Sequence, residues 1–540
     1  MAKLKMNTEN KKSDSGLLQS SFAVSVATLM SRILGLVRVR LEALVLGGGD
    51  IASGWFLAFA IPNLLRRILG EGSLGQAVQP IVSELDLHKG RDQVKKELGV
   101  IFAVLGALLS LIVILVSALA LMLGKIEFFQ NISFFSTPRM RFVLELLPIL
   151  MPYGLFMCLV GVAGCVLNYL RVFFLPALGA LLLNIFLLSG LSAAFFLHVR
   201  DVEKLIHVLA YLVLISGFVQ LLFMFFLLKK NNCSPVLKGC ISFSSIKSDT
   251  VKKLFSNALP GMIGGIAVQI SFLVDRMLAV SLGSQAVPAL TFVDRLIDIP
   301  IGIIAVSLST VLMSSLTYHA TQENMESFAR DLDFGIRYVF FICLPIAVGV
   351  IFLYNPLMSV LCLGGRYTVQ DLQAAEMVAV FYGAGIPVFC LLKVLLPAFY
   401  SRKKMKTTFY ASLCAIVLNI VLNLILMHPM KQAGIALATV ISSVVNCSIL
   451  LFLLKKENIL CTVWNPVKTL ARSLAFAFLS IGAVTVIVPQ SRNVITNWNQ
   501  AVILLAVCGT LFVAVYFILS AVAKAPEIEE LLSKLKRRKG

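Results

Sequence analysis

Apolar residues in this 540-residue chain come in long, nearly uninterrupted blocks rather than in the two-residue alternation of a strand. Windows of roughly twenty residues or more, the length a helix needs to cross a bilayer, fall near 19–46, 52–80, 98–124, 142–167, 173–198, 205–228, 254–282, 287–317, 331–354, 374–399, 407–428, 432–454, 469–489 and 499–523. The pattern predicts about fourteen spans. An even number places both termini on one side. The longest polar connection, 229–253, follows the sixth span. The predicted organisation is a first lobe over 1–228, a basic loop over 229–253 and a second lobe over 254–455. Two further spans follow over 456–523, then a basic tail over 524–540. LLLNIFLL at 181–188 is echoed by IVLNIVLN at 416–423, a short internal repeat compatible with two related bundles. The expected fold class is therefore an all-α polytopic membrane protein, with two pseudo-symmetric six-helix lobes plus two C-terminal helices.

Composition agrees. Hydrophobic residues make up 59% of the chain, charged residues only 14%, and the mean hydropathy is +0.93. A soluble protein carries about 25% charged residues, so the bilayer must be the solvent for most of this surface. The first apolar stretch runs past Arg32, Arg38 and Arg40 with no small-residue cleavage signal, so it reads as an uncleaved span.

A net charge of +20 on a soluble protein would point to nucleic acid. Here topology absorbs it. Of the 47 Lys and Arg, 30 fall in the termini and the loops on their side of the fourteen-span scheme, and 8 fall in the loops opposite. The positive-inside rule then puts both termini in the cytoplasm and leaves no charge excess that calls for a nucleic-acid partner.

Several chemistries lack their residues. There is no G-x-x-x-x-G-K-[ST] phosphate loop and no H-E-x-x-H, the five histidines (His88, His198, His207, His319, His428) are scattered, and the eleven cysteines are spread along the chain. The expectation is a transporter rather than an enzyme, without a resident cofactor, driven by an ion gradient, the membrane potential or the substrate gradient.

Charged residues within the spans carry the remaining information. SRILGLVRVRLE holds Arg32, Arg38, Arg40 and Glu42; IPNLLRRILGEGS holds Arg66, Arg67 and Glu71; LVDRML holds Asp275 and Arg276; FVDRLIDIP holds Asp294, Arg295 and Asp298. A central arginine costs about 2.5–3.5 kcal/mol on the gentler insertion scale. One reading is local pairing, since Arg38 and Glu42, and Arg67 and Glu71, are four residues apart and Arg295 and Asp298 three. The other is a hydrated, cation-lined cavity. The first two spans hold five arginines against two glutamates, an excess that local pairs leave uncompensated. Guanidinium suits phosphate because its fork donates two parallel hydrogen bonds.

Longer motifs sharpen the choice. SRILGLVR (31–38), AFAIPNLLRRILGEGSLGQAVQP (58–80), LNYLRVFFLPA (167–177), the segment 270–312 containing LVDRML and FVDRLIDIP, and PAFYSRKKMKTTF (397–409) resemble the MurJ/MviN lipid II flippases. The resemblance runs in order across 20–430. It implies a multidrug/oligosaccharidyl-lipid/polysaccharide exporter fold with two added C-terminal spans. It also implies movement of undecaprenyl-diphosphate-linked peptidoglycan precursor, lipid II, from the inner to the outer leaflet of the bacterial cytoplasmic (inner) membrane. By the same resemblance, Arg32, Arg38, Arg67 and Arg295 meet the substrate, while Glu42, Glu71 and Asp298 act as gate or charge partners that hold the arginines when substrate is absent. The last two spans would carry the polyprenyl tail, and cell-wall synthesis proteins would be partners beside membrane lipids. Some relatives hold sodium, and by motif that site falls on Asp275, Asn419, Asn423 and Thr439.

The chain departs from the family pattern in three places. Ser53 stands where an acidic residue is usual in span two, with Asp50 nearby. Asn423 stands for an acidic ion ligand, and fewer negative oxygens lower the affinity expected for a cation. The span-eight segment also reads TVLMSS where the family often has proline, so a kink is not expected there. The resemblance implies alternating access between two lobes, with the headgroup entering between spans one and eight. Competing readings are a flippase for another polyprenyl-diphosphate glycan, a multidrug/cation antiporter of the same fold, which would want an acidic first lobe, and a non-transporting scaffold, which would not need buried arginines.

Overall fold

The computed structural model describes residues 29–126, 134–236, 248–459, 464–488, 495 and 497–529, without the side chains of 70–76, 180 and 260–268. The first part of span one, the loop segment 237–247 and the tail 530–540 therefore lie outside the described residues, as does the side chain of Glu71. The described chain is helical, with one isolated β-bridge between Gly364 and Tyr367.

In chain order the helices are α1 (29–46), α2 (Asp50–Leu65), α3 (Leu74–Lys89), α4 (Arg91–Lys125), α5 (Pro138–Tyr169), α6 (Phe174–Phe196), α7 (Val202–Lys230), α8 (Asp249–Leu282) and α9 (Ala286–Pro300). They continue with α10 (Val306–Thr321), α11 (Met325–Phe352), the short α12 (Tyr354–Leu361), α13 (Val369–Tyr400), α14 (Met405–Met430), α15 (Gln432–Lys456), α16 (Trp464–Ile487) and α17 (Trp498–Val522). Among the described residues, every apolar window of the sequence lands on one of these helices or on a consecutive pair. Among the described residues, 11 helices are long and apolar enough to cross a membrane. The three further windows fall on α1, the α2–α3 pair and α8, which carry several of the arginines and Asp275.

Two pairs are single spans interrupted by a wider turn. Between α2 and α3 the chain is π-helical over Arg66–Ser73, and between α9 and α10 over Ile301–Ala305. Each interruption follows a proline, Pro62 or Pro300, which removes a backbone N–H from the helical ladder. π segments gather at functional sites because the wide turn frees carbonyls and re-aims side chains. In the first case Cys158 Sγ lies 3.6 Å from the Leu65 carbonyl, placed to donate to it. Residues 310–315 continue α10 without a break.

The chain forms two compact units, Met1–Leu273 and Val274–Gly540. In the first, α5 is the central helix and packs on α2, α3, α4 and α7. Its Gly154 sits against the end of α2, where a Cβ would meet Pro62 O and Leu65 Cδ2 at 3.2 Å. That close approach fixes the turn that bears Arg66 and Arg67.

In the second unit α13 is central and packs on α9, α11 and α15. It starts with a capping box. Asp371 N donates to Thr368 Oγ1 at 3.3 Å, and Thr368 N donates to Asp371 Oδ2 at 2.8 Å, satisfying donors that a helix start leaves open. The hairpin of α14 and α15 closes tightly at Gly434, where a Cβ would lie 2.2 Å from Leu426 O. Only glycine permits this approach, and it sets Asn419 and Asn423 of α14 opposite Thr439 of α15.

The last two spans pack on α11. Phe341, Val348, Ala477, Ile481, Cys508, Phe512 and Tyr516 form one buried cluster, and Tyr516 OH donates to Phe341 O at 2.6 Å. The chain after α17 folds back onto the same place. Glu527, 3% exposed, accepts from Thr469 Oγ1 at 2.7 Å and from Arg472, and Arg337 Nη1 lies 3.7 Å away.

Candidate functional site

In the first unit, α1 carries two charged residues that are buried inside the protein. Arg38 is 8% exposed and Glu42 6%. One helical turn separates them, and Arg38 Nε lies 3.5 Å from Glu42 Oε1. The contact is an ion pair by distance but not a well-aligned hydrogen bond, for Arg38 Nε is buried without a hydrogen-bond acceptor. Arg38 Nη1 instead donates to Asn184 Oδ1 of α6 at 3.0 Å. Asn184 Nδ2 donates to Ser31 O at 3.2 Å.

The sequence placed Arg38 and Glu42 together; it did not single out Asn184. The signal available was a lone amide within LLLNIFLL, since a buried polar group on an apolar helix needs a partner.

Arg67 is half-buried in the π segment that follows α2, with its guanidinium over the Phe272 ring at 5.6 Å from the centroid. Such a contact stabilises by about 0.5–2 kcal/mol and uses the charge of the guanidinium without consuming a hydrogen-bond donor. Arg32 is half-buried on α1. Ser53, at the position where the family has an acid, is fully buried, and nearby Asp50 accepts from Arg139 Nη1 at 3.2 Å. Asp50 is thus engaged with α5.

In the second unit, Arg295 is half-buried on α9 and Asp298 is exposed near the helix end. The adjacent Asp294 is bonded to Arg276 of α8, which also donates to Thr291 Oγ1 at 3.1 Å and Val287 O at 3.3 Å. Arg276 follows Asp275 directly in the sequence, where its positive charge would oppose a cation. The structure gives Arg276 acceptors of its own on α9.

Asp275, 8% exposed, faces the other way. Asn423 Nδ2 donates to Asp275 Oδ1 at 2.5 Å and to Asn419 Oδ1 at 3.2 Å. Asn419 Nδ2 lies 3.3 Å from Thr439 Oγ1, which itself lies 3.4 Å from Asp275 Oδ2. The four residues singled out for sodium therefore form one closed ring of contacts across α8, α14 and α15. Among the described residues no group of three or more His, Cys, Asp or Glu could hold a metal ion. The ring instead supplies one carboxylate and neutral amide and hydroxyl oxygens, hard donors suited to a small cation of low charge. One of them, Asn423 Oδ1, is buried and has no hydrogen-bond partner.

Ion pairs also mark the ends of several helices. Lys253 Nζ lies 2.7 Å from Glu84 Oε1, and the Lys253 hydrogen bond and charge hold the Glu84 carboxyl below its ordinary value. Glu457 accepts from Lys404 at 2.7 Å and from Arg402. Partial burial pushes its pKa upward, but these two donors outweigh it and the net shift is downward.

Comparison with known proteins addresses the whole chain. The family described as lipid II flippase MurJ matches residues 43–507. The chain is 32% identical over 441 residues to the probable lipid II flippase MurJ of Vibrio cholerae, covering 80% of this chain and 82% of that one. It is 28% identical to the lipid II flippase MurJ of Burkholderia cenocepacia, covering 93% and 96%. A solved structure of a lipid II flippase MurJ in an inward closed conformation superposes with a TM-score of 0.75 at 23% identity, over 94% of this chain and 99% of that one. An inward-facing multidrug transporter of the MATE family has a TM-score of 0.60 at 15% identity, over 82% and 98%. The two superpositions show a shared fold.

Proposed function

The chain belongs to the lipid II flippase MurJ family, and from that premise we propose which of its residues bind and release the lipid-linked precursor. The protein is a multi-pass membrane protein that moves lipid II, an undecaprenyl-diphosphate-linked peptidoglycan precursor, from the inner to the outer leaflet. The observation that carries the site is Arg38, a guanidinium buried within the first span, bonded to a neutral amide and only loosely paired with Glu42. An arginine held this way keeps donors for a second anion, and a pyrophosphate supplies the complementary oxygens.

In this reading Arg38 and Arg67, supported by Arg32, take the pyrophosphate in the first unit. Arg295 is the candidate contact in the second. Glu42 is the resident counter-charge that substrate displaces, and Asp298 and Glu71 are candidates for the same part. Transport proceeds by alternating access, the polyprenyl tail travels in lipid along α16 and α17, and both termini face the cytoplasm of the inner membrane. Asp275, Asn419, Asn423 and Thr439 would hold a sodium ion, with Asn423 Oδ1 as the oxygen waiting for it. The ion would supply the positive charge that the buried Asp275 carboxylate lacks within its own ring. A basic first lobe disfavours the reading as an exporter of cationic drugs.

The test is complementation of a bacterium conditionally depleted of its own flippase, with lipid II measured in the outer leaflet. The wild-type chain restores it; Arg38→Ala and Arg67→Ala, inserted to the same level, do not. Failure of the correctly inserted wild type, or full activity in both variants, would sink the assignment.

A further inference from the structure

Asn184 stands in the middle of α6, on an otherwise apolar stretch, and is 7% exposed. A guanidinium can only donate, so the side facing Arg38 must be the amide oxygen and the side facing Ser31 the amide nitrogen. The contacts agree. Oδ1 accepts from Arg38 Nη1 at 3.0 Å, and Nδ2 donates to Ser31 O at 3.2 Å and lies 3.5 Å from Ser31 Oγ. Ser31 and Arg38 are two turns apart on one face of α1, so a single amide ties that face to α6 and fixes one arm of the guanidinium.

Its chemistry differs from that of Glu42 on the other side of Arg38. An amide carbonyl orients a guanidinium through its dipole, whereas a carboxylate would also cancel the charge. The same position recurs in the second unit. Asn419 matches Asn184 in the repeat of IVLN with LLLN, and it joins the ring around Asp275 through Asn423 and Thr439. In each unit the fifth span thus brings an asparagine to a buried charge on the first.

We propose that Asn184 is the positioning residue of the anion site: it holds Arg38 in place while leaving its positive charge available to the pyrophosphate. The proposal rests on the reading that Arg38 binds substrate.

The experiment uses the full-length protein reconstituted in lipid vesicles, with lipid II translocation measured against lipid II density to separate apparent KM from maximal rate. Asn184→Asp adds a second carboxylate to Arg38 and is expected to raise the apparent KM about tenfold, the loss of roughly one charge-assisted hydrogen bond. Asn184→Ala frees the guanidinium arm and raises KM less. Adding Glu42→Gln to Asn184→Asp returns the site to one acid and restores most of the affinity. Ser31→Ala keeps the Ser31 carbonyl and leaves KM unchanged.

Thermal unfolding in detergent checks that each variant is folded, and Asn184→Ala carries the test if Asn184→Asp does not insert. A wild-type KM in a folded Asn184→Ala or Asn184→Asp variant would overturn the proposal, as would strict additivity of Glu42→Gln with Asn184→Asp. An inactive wild type, or an unaffected Arg38→Ala, would instead overturn the assignment of Arg38 itself.

Discussion

The two units solve the same problem with opposite charges. In the first, the buried charge on the opening span is Arg38, held by Asn184 and facing Glu42. In the second, Arg276 is taken up by Asp294, and the charge left to its neighbours is Asp275, ringed by Asn423, Asn419 and Thr439. A charge withdrawn from water must find partners. Amides serve both signs, because each offers an acceptor to a cation and a donor to an anion. What differs is what the remaining capacity can take. The first site has spare donors and fits an anion; the second has a spare amide oxygen, Asn423 Oδ1, and fits a cation. The backbone repeats this parallel, since the second span of each unit breaks into a π segment after a proline.

The largest expected effect comes from erasing the first site. Arg38→Ala removes the donors and strands Glu42, and lipid II translocation falls by about a hundredfold. Stability falls by about 3–5 kcal/mol if Glu42 stays charged, so translocation is normalised to inserted protein. Arg38→Lys keeps charge but not the fork, and its translocation lies between the two. Equal activity of lysine and arginine would reduce the site to a simple positive charge.

Asp275→Asn should act on a different readout. If the ring holds sodium, the wild type is expected to gain thermal stability when sodium replaces potassium at constant ionic strength, by about 1.4 kcal/mol at ten times the dissociation constant. Asp275→Asn loses that response. A sodium response that survives the substitution would break the comparison, because the second site would then hold no cation.

Thr439→Val removes one hydroxyl from the ring and keeps the carboxylate. The sodium response weakens by about 1 kcal/mol and remains measurable in the same assay. A complete loss would mean that Thr439 matters more than its 3.4 Å contact with Asp275 indicates.

The smallest effect belongs to the exposed Glu84–Lys253 pair. The Glu84 carboxyl lies below its ordinary value, so its contribution is present above that value and is lost as pH falls through the depressed one. Unfolding temperature measured from pH 7 to pH 3 should fall slightly less for Glu84→Gln than for the wild type, and translocation at pH 7 should be unchanged. A large loss of translocation would make this pair a moving part instead of a solvated contact.

Much of this was readable in advance, for definite reasons. Span positions follow from apolar run length, because the bilayer imposes one thickness on every crossing helix. The pairing of Arg38 with Glu42 follows from helical spacing. The meeting of Asp275, Asn419, Asn423 and Thr439 came from resemblance; no spacing rule joins residues more than 140 positions apart. Asn184 was hidden for the same reason, as its partner lies 146 residues away on another helix. The Arg276–Asp294 pair was hidden differently: both residues were visible, but local rules favoured partners on the same helix. Glu527 fell in a stretch that its basic neighbours made look like a plain solvated tail, yet it is buried against α16.

The sequence by itself determined where the chain crosses the membrane, which charges are too deep to be accidental, and which family it resembles. Each depends on local composition, on the cost of a charge in hydrocarbon, or on motif order. Only the tertiary structure decided which buried charge meets which amide, and therefore which sign each unit has left to offer a ligand. That choice depends on the contact of distant helices through close approaches such as Gly154 on Pro62, which no local pattern encodes.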